Sequence, residues 1–190
     1  MAIDRRQAIL EAATKSFSLF GYKATTMDQI AKLANVGKGT IYTFYKNKEE
    51  LFDEIVTSLI IEMKAAAESA MDERLSFHEN VSRALYSILE FRKEHQLTIK
   101  LFQEEREIGT PAVIDFMNRL EGSIIAYIKQ IIQEAIDKKE IKHCDPELTA
   151  FVMFKMYIAL IFDWEKSHQA LEKEEIFQLF ELYLLKGLST

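Results

Sequence analysis

Residues 25–52 read TTMDQIAKLANVGKGTIYTFYKNKEELF, and this stretch decides the fold. Thr26 with Gln29 three residues later forms a capping box, which predicts the start of a short helix. Asn35 tolerates the left-handed backbone that a tight turn requires, and a second short helix is expected over Lys38–Tyr45. Two short helices joined in this way predict a helix-turn-helix, the motif that places its second helix in the major groove of DNA.

The residues on either side extend this motif into a small helical domain. Apolar residues at helical spacing predict a first helix over Arg5–Phe20, with Gly21 as its C-terminal stop. Asn47 and Glu50 form another capping box, which predicts a long helix that ends near Met71. The motif is therefore expected to be flanked by one helix on each side.

The rest of the chain also predicts helices, so the expected fold class is all-α. Only two prolines and six glycines occur among 190 residues, and no extended run alternates between apolar and polar residues. The predicted architecture has about nine helices in two domains. Residues 1–63 are expected to form a three-helix helix-turn-helix DNA-binding domain, with the motif at about 26–45 and a linker helix from 48. Residues 64–190 are expected to form a helical regulatory and dimerisation domain. The further helices are expected at Ser76–Arg92, Glu94–Glu107, Pro111–Lys138, Asp145–Lys166 and Lys173–Leu188.

Charge is distributed unevenly along the chain. The net charge is −6, but residues 1–48 hold eight Lys or Arg against three Asp or Glu, a net charge of +5, which leaves −11 for the rest. A basic N-terminal part attracts DNA phosphates, and an acidic remainder repels them. The distribution therefore favours nucleic-acid binding at the N-terminal end of the chain.

The exposed residues of the second motif helix have the chemistry of a DNA-reading surface. Lys38 can reach a guanine edge or a phosphate, and Gly39 lets backbone N–H groups approach a phosphate closely. Thr43 is the best candidate for reading a base, Tyr45 is expected at a phosphate or in the core, and Phe44 is expected in the core. The full predicted DNA-binding set is Thr25, Thr26, Lys38, Gly39, Thr40, Tyr42, Thr43, Tyr45 and Lys48.

The motif residues match the pattern of a known family. The DNA-binding domain of the tetracycline-repressor (TetR) family has the same or similar residues at the positions of Phe17–Gly21, Thr25-Thr26, Ile30-Ala31, Val36, Gly39-Thr40, Tyr42, Tyr45 and Lys48–Leu51. The stretch Arg5–Phe52 resembles that domain, although Thr43 stands where the family often has His or Tyr. The resemblance implies an all-helical homodimer that binds a palindromic operator in double-stranded DNA and releases it when a small molecule binds.

The last two predicted helices are apolar on nearly every side. A helix that is apolar all round must be buried all round, which in a chain of this length indicates a partner. Two such helices from each of two copies would form a four-helix interface; burial inside a monomer is the alternative. The predicted homodimer contacts are Phe151, Phe154, Ile158, Phe162, Leu179, Phe180, Tyr183 and Leu184.

Aromatic residues of the second domain are candidates for lining a ligand cavity, which the family resemblance implies. The predicted effector is small and largely apolar, although aromatic residues at helical spacing more often belong to a core. Glu104, Glu105 and Glu107 are expected at the surface, and an inward-facing one among them would favour a cationic ligand. The predicted ligand-binding residues are Phe91, Phe102, Glu105, Phe116, Tyr127, Phe154 and Tyr157.

Several other classes of protein are disfavoured by what the sequence lacks. The first residues are charged where a signal peptide needs an apolar core, and no apolar run is long enough to span a membrane. One cysteine cannot form an intrachain disulfide, His143 beside Cys144 is too sparse for a metal site, and no catalytic motif occurs. We expect no catalytic residue, no metal, no cofactor and a cytoplasmic location.

Together these features predict a sequence-specific transcriptional regulator that is not an enzyme. Repression that an effector relieves is the favoured mechanism, because an effector can stabilise a conformation whose recognition helices no longer fit successive major grooves. An effector-independent DNA-binding or architectural protein is one alternative, and a transcriptional activator is the other.

Overall fold

The fold is all-α, as predicted, in a computed structural model that describes residues 4–94 and 96–188. Within these ranges nine α-helices have seven or more residues. Predicted and observed bounds agree to within two residues for α1 and for α3 to α7. The bounds are Arg5–Phe20 (α1), Met27–Leu33 (α2), Lys38–Phe44 (α3), Lys48–Ala70 (α4), Phe77–Glu94 (α5), Gln96–Glu107 (α6), Pro111–Asp137 (α7), Pro146–Ile158 (α8) and Lys173–Phe180 (α9).

The last two helices end differently from the prediction. After α8, a π-helical turn over Ala159–Asp163 and a 3₁₀ turn over Trp164–Lys166 complete a segment that the sequence predicts as one α-helix. After α9, a π-helical turn over Glu181–Leu185 leads into a final α-helical turn over Lys186–Leu188. A π turn widens the helix locally and so rotates the side chains that follow it. Hydrophobic periodicity cannot signal this, because nearly every position here is apolar.

Side-chain caps define the helix starts near the motif. The Asp4 carboxylate accepts hydrogen bonds from the first backbone N–H groups of α1. Thr26 and Gln29 form the predicted capping box of α2, and Asn35 has the predicted left-handed backbone, with φ 53°, between α2 and α3. Each cap satisfies backbone groups that a helix end leaves unpaired, which typically stabilises the helix by about 1 kcal/mol. Local sequence therefore determines where these short helices begin.

The chain divides into two compact units. The N-terminal unit contains the residues up to Lys64 together with Phe91–Asn118, and the C-terminal unit contains Ala65–Glu90 and the residues from Arg119 onward. The helix-turn-helix thus shares its unit with α6 and the start of α7, which the sequence analysis assigns to the second domain. Because a domain of three short helices buries little apolar surface by itself, α6 supplies packing that the motif lacks.

Aromatic side chains form the centre of the N-terminal unit. Phe17 of α1 stacks on Tyr22 with ring centroids 5.7 Å apart and meets Phe52 of α4 edge-on at 5.4 Å. The Tyr22 and Phe52 centroids are 4.5 Å apart, and Phe116 of α7 packs against Phe52 at 6.0 Å. Each such buried side chain contributes about 1.5–3 kcal/mol, because its apolar surface leaves water. The cluster therefore joins α1, α4 and α7 within this unit.

The C-terminal unit has an apolar core of its own, which corrects part of the predicted dimer interface. Phe154 and Phe180, both predicted to contact a second copy, are buried within the chain itself. The protomer's own helices already cover them, so neither side chain is available to a partner. The buried members of this core are Phe77, Leu89, Ile132, Ala135, Ile141, Ala150, Met153, Ile161, Ile176, Phe180 and Leu185.

Replacing Gly21 with Ala is expected to lower the free energy of unfolding by about 1–3 kcal/mol. Gly21 has φ +83° and ψ 169°, a region open almost only to glycine, and a Cβ there would overlap the Glu104 carboxylate. Urea unfolding followed by circular dichroism measures the change.

Gly122→Ala is the matched control for this prediction. Gly122 lies inside α7, and a Cβ there would have no heavy atom within 4 Å. This change is expected to raise stability by up to about 1 kcal/mol, since Ala favours a helix more than Gly does. Equal stability of the Gly21→Ala variant and the wild type would contradict the packing described for this turn.

Candidate DNA-binding site

The second motif helix, α3, turns one side to the core and the other to solvent. Ile41 is fully buried, whereas Tyr42, the next residue, is 44% exposed. The Thr43 hydroxyl donates to the Thr40 carbonyl oxygen at 2.6 Å, which orients this side chain along the helix. The predicted contacts that this helix leaves exposed or partly exposed are Lys38, Gly39, Thr40, Tyr42 and Thr43.

Lys38 is paired with a carboxylate on the neighbouring helix. Its Nζ donates to Oδ2 of Asp28, in the first turn of α2, at 2.9 Å. The hydrogen bond to Asp28 and the charge of that carboxylate raise the pKa of Lys38. Both side chains are largely exposed, so the pair contributes little to stability. Lys38 can therefore exchange Asp28 for a phosphate or a base edge at small cost.

At the end of α3, Phe44 contradicts its expected position, and Tyr45 takes one of its two expected positions. Phe44, expected in the core, is 40% exposed, and Tyr45, expected at a phosphate or in the core, is only 2% exposed. The helix ends at Phe44, and Tyr45 has an extended backbone with φ −136°, so helical spacing no longer determines its direction. Burial raises the pKa of the Tyr45 hydroxyl to about 12. Tyr45 therefore belongs to the core, which removes it from the set of direct phosphate contacts.

Two further predicted DNA contacts, Thr25 and Lys48, are engaged by the protein itself. The Thr25 side chain is fully buried, and its hydroxyl donates to the Gly21 carbonyl oxygen at 2.8 Å. Nζ of Lys48 donates to the carbonyl oxygens of Tyr22 and Thr25, both at 2.8 Å, and lies 4.1 Å from the centre of the Tyr22 ring. Burial lowers the pKa of Lys48. Both residues thus hold the turn between α1 and α2, while Thr26 stays exposed.

Glu104 of α6 is a structural residue of this unit that lies elsewhere than predicted. It is expected at the surface but is only 3% exposed. Its carboxylate accepts hydrogen bonds from the backbone N–H groups of Tyr22 at 2.6 Å and Lys23 at 2.9 Å, and from the Thr110 hydroxyl at 2.7 Å. Glu104 therefore binds the N–H groups of the same turn whose carbonyl oxygens Lys48 binds.

The spacing of α6 contains a signal for this burial. Leu97, Leu101 and Glu104 are separated by four and three residues and so share one helix face, and both leucines are buried. The sequence analysis links an inward-facing glutamate to a cationic ligand. Protein donors already satisfy this carboxylate, so its direction indicates no cation.

The predicted ligand-binding residues divide between the two units. Phe116 is fully buried in the aromatic cluster, and the Arg106 guanidinium lies 4.4 Å from the centre of the Phe102 ring. Burial raises the pKa of Tyr127 to about 12. Their role in ligand binding stays a prediction. The N-terminal unit contains Phe91, Phe102, Glu105 and Phe116, and the C-terminal unit contains Tyr127, Phe154 and Tyr157.

A groove of about 600 Å³ lies in the N-terminal unit among α1, α4 and α6. Its lining combines apolar side chains with acidic ones and includes none of the predicted ligand-binding residues. The groove therefore does not coincide with the predicted effector site. The apolar lining residues are Leu10, Ile55, Leu59 and Leu97, and the acidic ones are Glu11, Glu54 and Glu62.

The remaining predicted dimer contacts differ in exposure. Tyr183 is 67% exposed and Phe151 is also exposed, whereas the other four are partly buried. Four further large apolar side chains of the same unit, Leu148, Val152, Trp164 and Leu182, are exposed although they are absent from the prediction. Exposed apolar side chains in this number often indicate a surface that contacts another protein. The four partly buried residues are Ile158, Phe162, Leu179 and Leu184.

Metal sites and membrane-spanning helices are both absent from the part of the chain that the structure describes. No three side chains among His, Cys, Asp and Glu lie close enough together there to hold a metal ion. In residues 4–94 and 96–188, no helix combines the length and the apolar character that crossing a membrane requires.

Replacing Lys48 with Met is expected to lower the free energy of unfolding by about 1–3 kcal/mol, because two turn carbonyls lose a charged donor. If Lys48 contacted a DNA phosphate instead, the substitution would leave the free energy of unfolding unchanged. It would then lower the number of ions released on DNA binding, measured from the salt dependence, by about one. Urea unfolding separates the two roles. The matched control is Lys46→Met: Lys46 is exposed, and its change is expected to stay within about 0.5 kcal/mol.

Comparison with known proteins agrees with this geometry. The family model for bacterial regulatory proteins of the tetR family matches residues 9–55. The chain is 68% identical over 189 residues to the "Uncharacterized HTH-type transcriptional regulator YhgD" of Bacillus subtilis (strain 168), a match that covers 100% of this chain and 99% of that relative.

Solved structures share the fold at low sequence identity. The SmeT chain of a SmeT–triclosan complex has a TM-score of 0.81 at 17% identity, covering 98% of this chain and 92% of that one. The fatty acid degradation regulator FadR from Bacillus halodurans has a TM-score of 0.79 at 18% identity, covering 97% and 98%. From the relative, the matched motif and the exposed helix α3, we conclude that the chain belongs to the TetR family and is a helix-turn-helix DNA-binding transcriptional regulator.

Proposed function

We propose that this protein binds a palindromic operator as a homodimer, represses transcription there, and is released by a small, largely apolar effector. The observation that carries the proposal is the exposed side of α3, which projects from a part of the chain with a net charge of +5. A positive surface draws DNA phosphates towards this helix. A cytoplasmic location follows from the need to reach the chromosome.

Phosphate contacts would set the register on DNA, and a few base-edge contacts would read its sequence. Lys38 has the donors for a guanine edge or a phosphate, and Tyr42 offers both a hydroxyl and a ring face for a thymine methyl. Thr43 has a hydroxyl suited to a base edge. Thr25 and Tyr45, which are buried, and Lys48, which donates to two turn carbonyls, are left out of this set. The proposed contacts are Thr26, Lys38, Gly39, Thr40, Tyr42 and Thr43.

A homodimer is supported by the shortness of α3 and by the apolar surface of the C-terminal unit. One seven-residue helix reads too few bases for specific binding, whereas a two-fold dimer can place two such helices about 34 Å apart on one face of DNA. Exposed apolar residues near α8 and in the π turn after α9 would supply the contact. The proposed centre of the interface is Phe151, Val152, Leu182 and Tyr183.

Effector control is supported by the family and by one related structure. SmeT, whose fold this chain shares, is described in complex with triclosan. Release would follow if an effector binds better to a conformation in which the two α3 helices no longer match successive major grooves. Compounds that dissociate the protein from its operator, without unfolding it, would identify the effector class by fluorescence anisotropy.

The wild-type protein is expected to enrich a palindromic sequence from a random DNA pool. Tyr42→Ala and Lys38→Ala are each expected to weaken binding to that sequence about tenfold, since each removes a base or phosphate contact. Fluorescence anisotropy with a labelled duplex gives the dissociation constants.

Lys138→Ala is the matched control, because Lys138 is exposed in the acidic C-terminal part. It removes the same charge and is expected to leave operator affinity unchanged. If the Tyr42 and Lys38 variants bind as tightly as the Lys138 variant, α3 is not the helix that reads DNA.

Tyr183→Glu is expected to convert the homodimer into a monomer, because a buried, unpaired carboxylate is unfavourable at an apolar interface. Size-exclusion chromatography with light scattering should give the monomer mass of 22.1 kDa for this variant and twice that mass for the wild type.

Ile61→Glu provides a matched control, since Ile61 is equally exposed but lies in the N-terminal unit. It should remain dimeric. Phe180→Glu tests the corrected assignment, because burying a carboxylate in the protomer core should unfold the chain rather than only dissociate it. A dimeric Tyr183→Glu variant would place the interface elsewhere.

A further inference from the structure

We propose that Glu104 is a positioning residue for DNA binding, through which the placement of α6 determines the placement of the helix-turn-helix. The inference rests on the proposed function, because it takes α3 as the helix that contacts DNA. It assigns a role to a buried residue that lies outside the matched stretch 9–55, on a helix that begins only at Gln96.

The first step is the set of groups that Glu104 binds. Two of its three donors are the backbone N–H groups of Tyr22 and Lys23, in the turn that follows α1. These N–H groups have no acceptor inside a helix, because they lie between α1 and α2. A buried carboxylate is stable only when such donors satisfy it. The turn and α6 therefore depend on one another for the same hydrogen bonds.

The second step is that this turn has little freedom to move away from α6. Gly21 approaches the Glu104 carboxylate so closely that a Cβ would overlap it. Lys48 of α4 binds the carbonyl oxygens of Tyr22 and Thr25, so both kinds of backbone polar group in the turn are held. Glu104 is itself held by the Thr110 hydroxyl at the start of α7. A displacement of α6 at Glu104 must therefore displace the turn or break these bonds.

The third step connects the turn to the DNA-reading helix. The Thr26 cap begins α2 directly after the turn, and α2 is joined to α3 by a tight connection in which the Val36 N–H binds the Ala31 carbonyl oxygen at 3.0 Å. The motif therefore follows its N-terminal anchor as a short, closely linked segment. Phe102 and Glu105, both predicted to bind the effector, flank Glu104 on α6, so an effector at those residues would act on the same helix.

A positioning role and a purely stabilising role give different DNA-binding results. A contact that only stabilises the fold changes the fraction of folded protein, which lowers binding to every DNA sequence equally. A contact that positions α3 changes specific binding, whereas non-specific binding depends mainly on phosphate charge. The ratio of dissociation constants for specific and non-specific DNA therefore distinguishes the two roles.

The deciding variant is Glu104→Gln. The amide N–H group of glutamine must face at least one of the donors whose hydrogen bonds the carboxylate accepts, so that hydrogen bond is lost. Binding is measured at low temperature by anisotropy, with the duplex that the wild type selects and with a scrambled duplex of the same composition. We expect the dissociation constant for the selected duplex to rise at least about tenfold. The constant for the scrambled duplex should change less than about twofold.

Glu107→Gln makes the same change of charge at the exposed end of α6 and should leave both constants unchanged. An unchanged specificity ratio for Glu104→Gln overturns the proposal. If that variant does not fold, Thr110→Val decides, because it removes one bond to the carboxylate and leaves the turn intact. A rise in the dissociation constant for the selected duplex relative to that for the scrambled duplex supports the role, and no change in this ratio overturns it.

Hydrogen exchange on the wild type tests the anchor independently of DNA. The amide protons of Tyr22 and Lys23, which lie outside any helix, should exchange slowly, as helix amides do. Exchange at the rate of an unprotected loop overturns the inference. Failure of the wild type to select any DNA would count against the proposed function, and slow exchange of these two amides would then still establish the anchor.

Discussion

The turn over residues 21–25 is the constraint on which the N-terminal unit depends. A turn between two helices carries N–H and C=O groups that neither helix can pair, and these groups must find partners once they leave water. Glu104 accepts from its N–H groups, and Lys48 donates to its carbonyl oxygens. Each ionised side chain has several partners, which offsets the loss of its own hydration. These hydrogen bonds therefore join α6 to the motif within the N-terminal unit.

The accessibility of the DNA-reading helix follows from the same arrangement. Ile41 and Tyr45 fix α3 to the unit from one side, which leaves Tyr42 and its polar neighbours in solvent. Two lysines show how position decides role. Lys38 has an exposed partner that DNA can replace at little cost, whereas Lys48 donates to two carbonyl oxygens of the turn inside the protein. Of these two lysines, Lys38 is therefore the one that can contact DNA.

The C-terminal unit carries more apolar side chains than its own core buries, because α8 is apolar on nearly every side and the π turn after α9 is mostly apolar. Part of that surface is covered inside the protomer, where Phe180 joins the core and Phe154 is buried. Part of it, including Phe151 and Tyr183, stays exposed. The π turn after α9 contains Tyr183 and widens the helix there, which changes the directions of its side chains. The division between core and surface thus depends on helix geometry that apolar composition does not encode.

Much of this protein was determined by its sequence alone: the all-α class, most helix bounds, the capping box of Thr26 and Gln29, the turn at Asn35 and the family. Caps and turns depend on residues within about four positions of one another, and helices depend on a repeating apolar spacing. Both patterns can therefore be recognised in the sequence. Tertiary structure decided which groups Lys48 and Glu104 bind. Their partners lie 26 and 82 positions away from them along the chain. A hydrogen bond over that separation exists only after packing has brought two backbone segments together, and no local pattern encodes it.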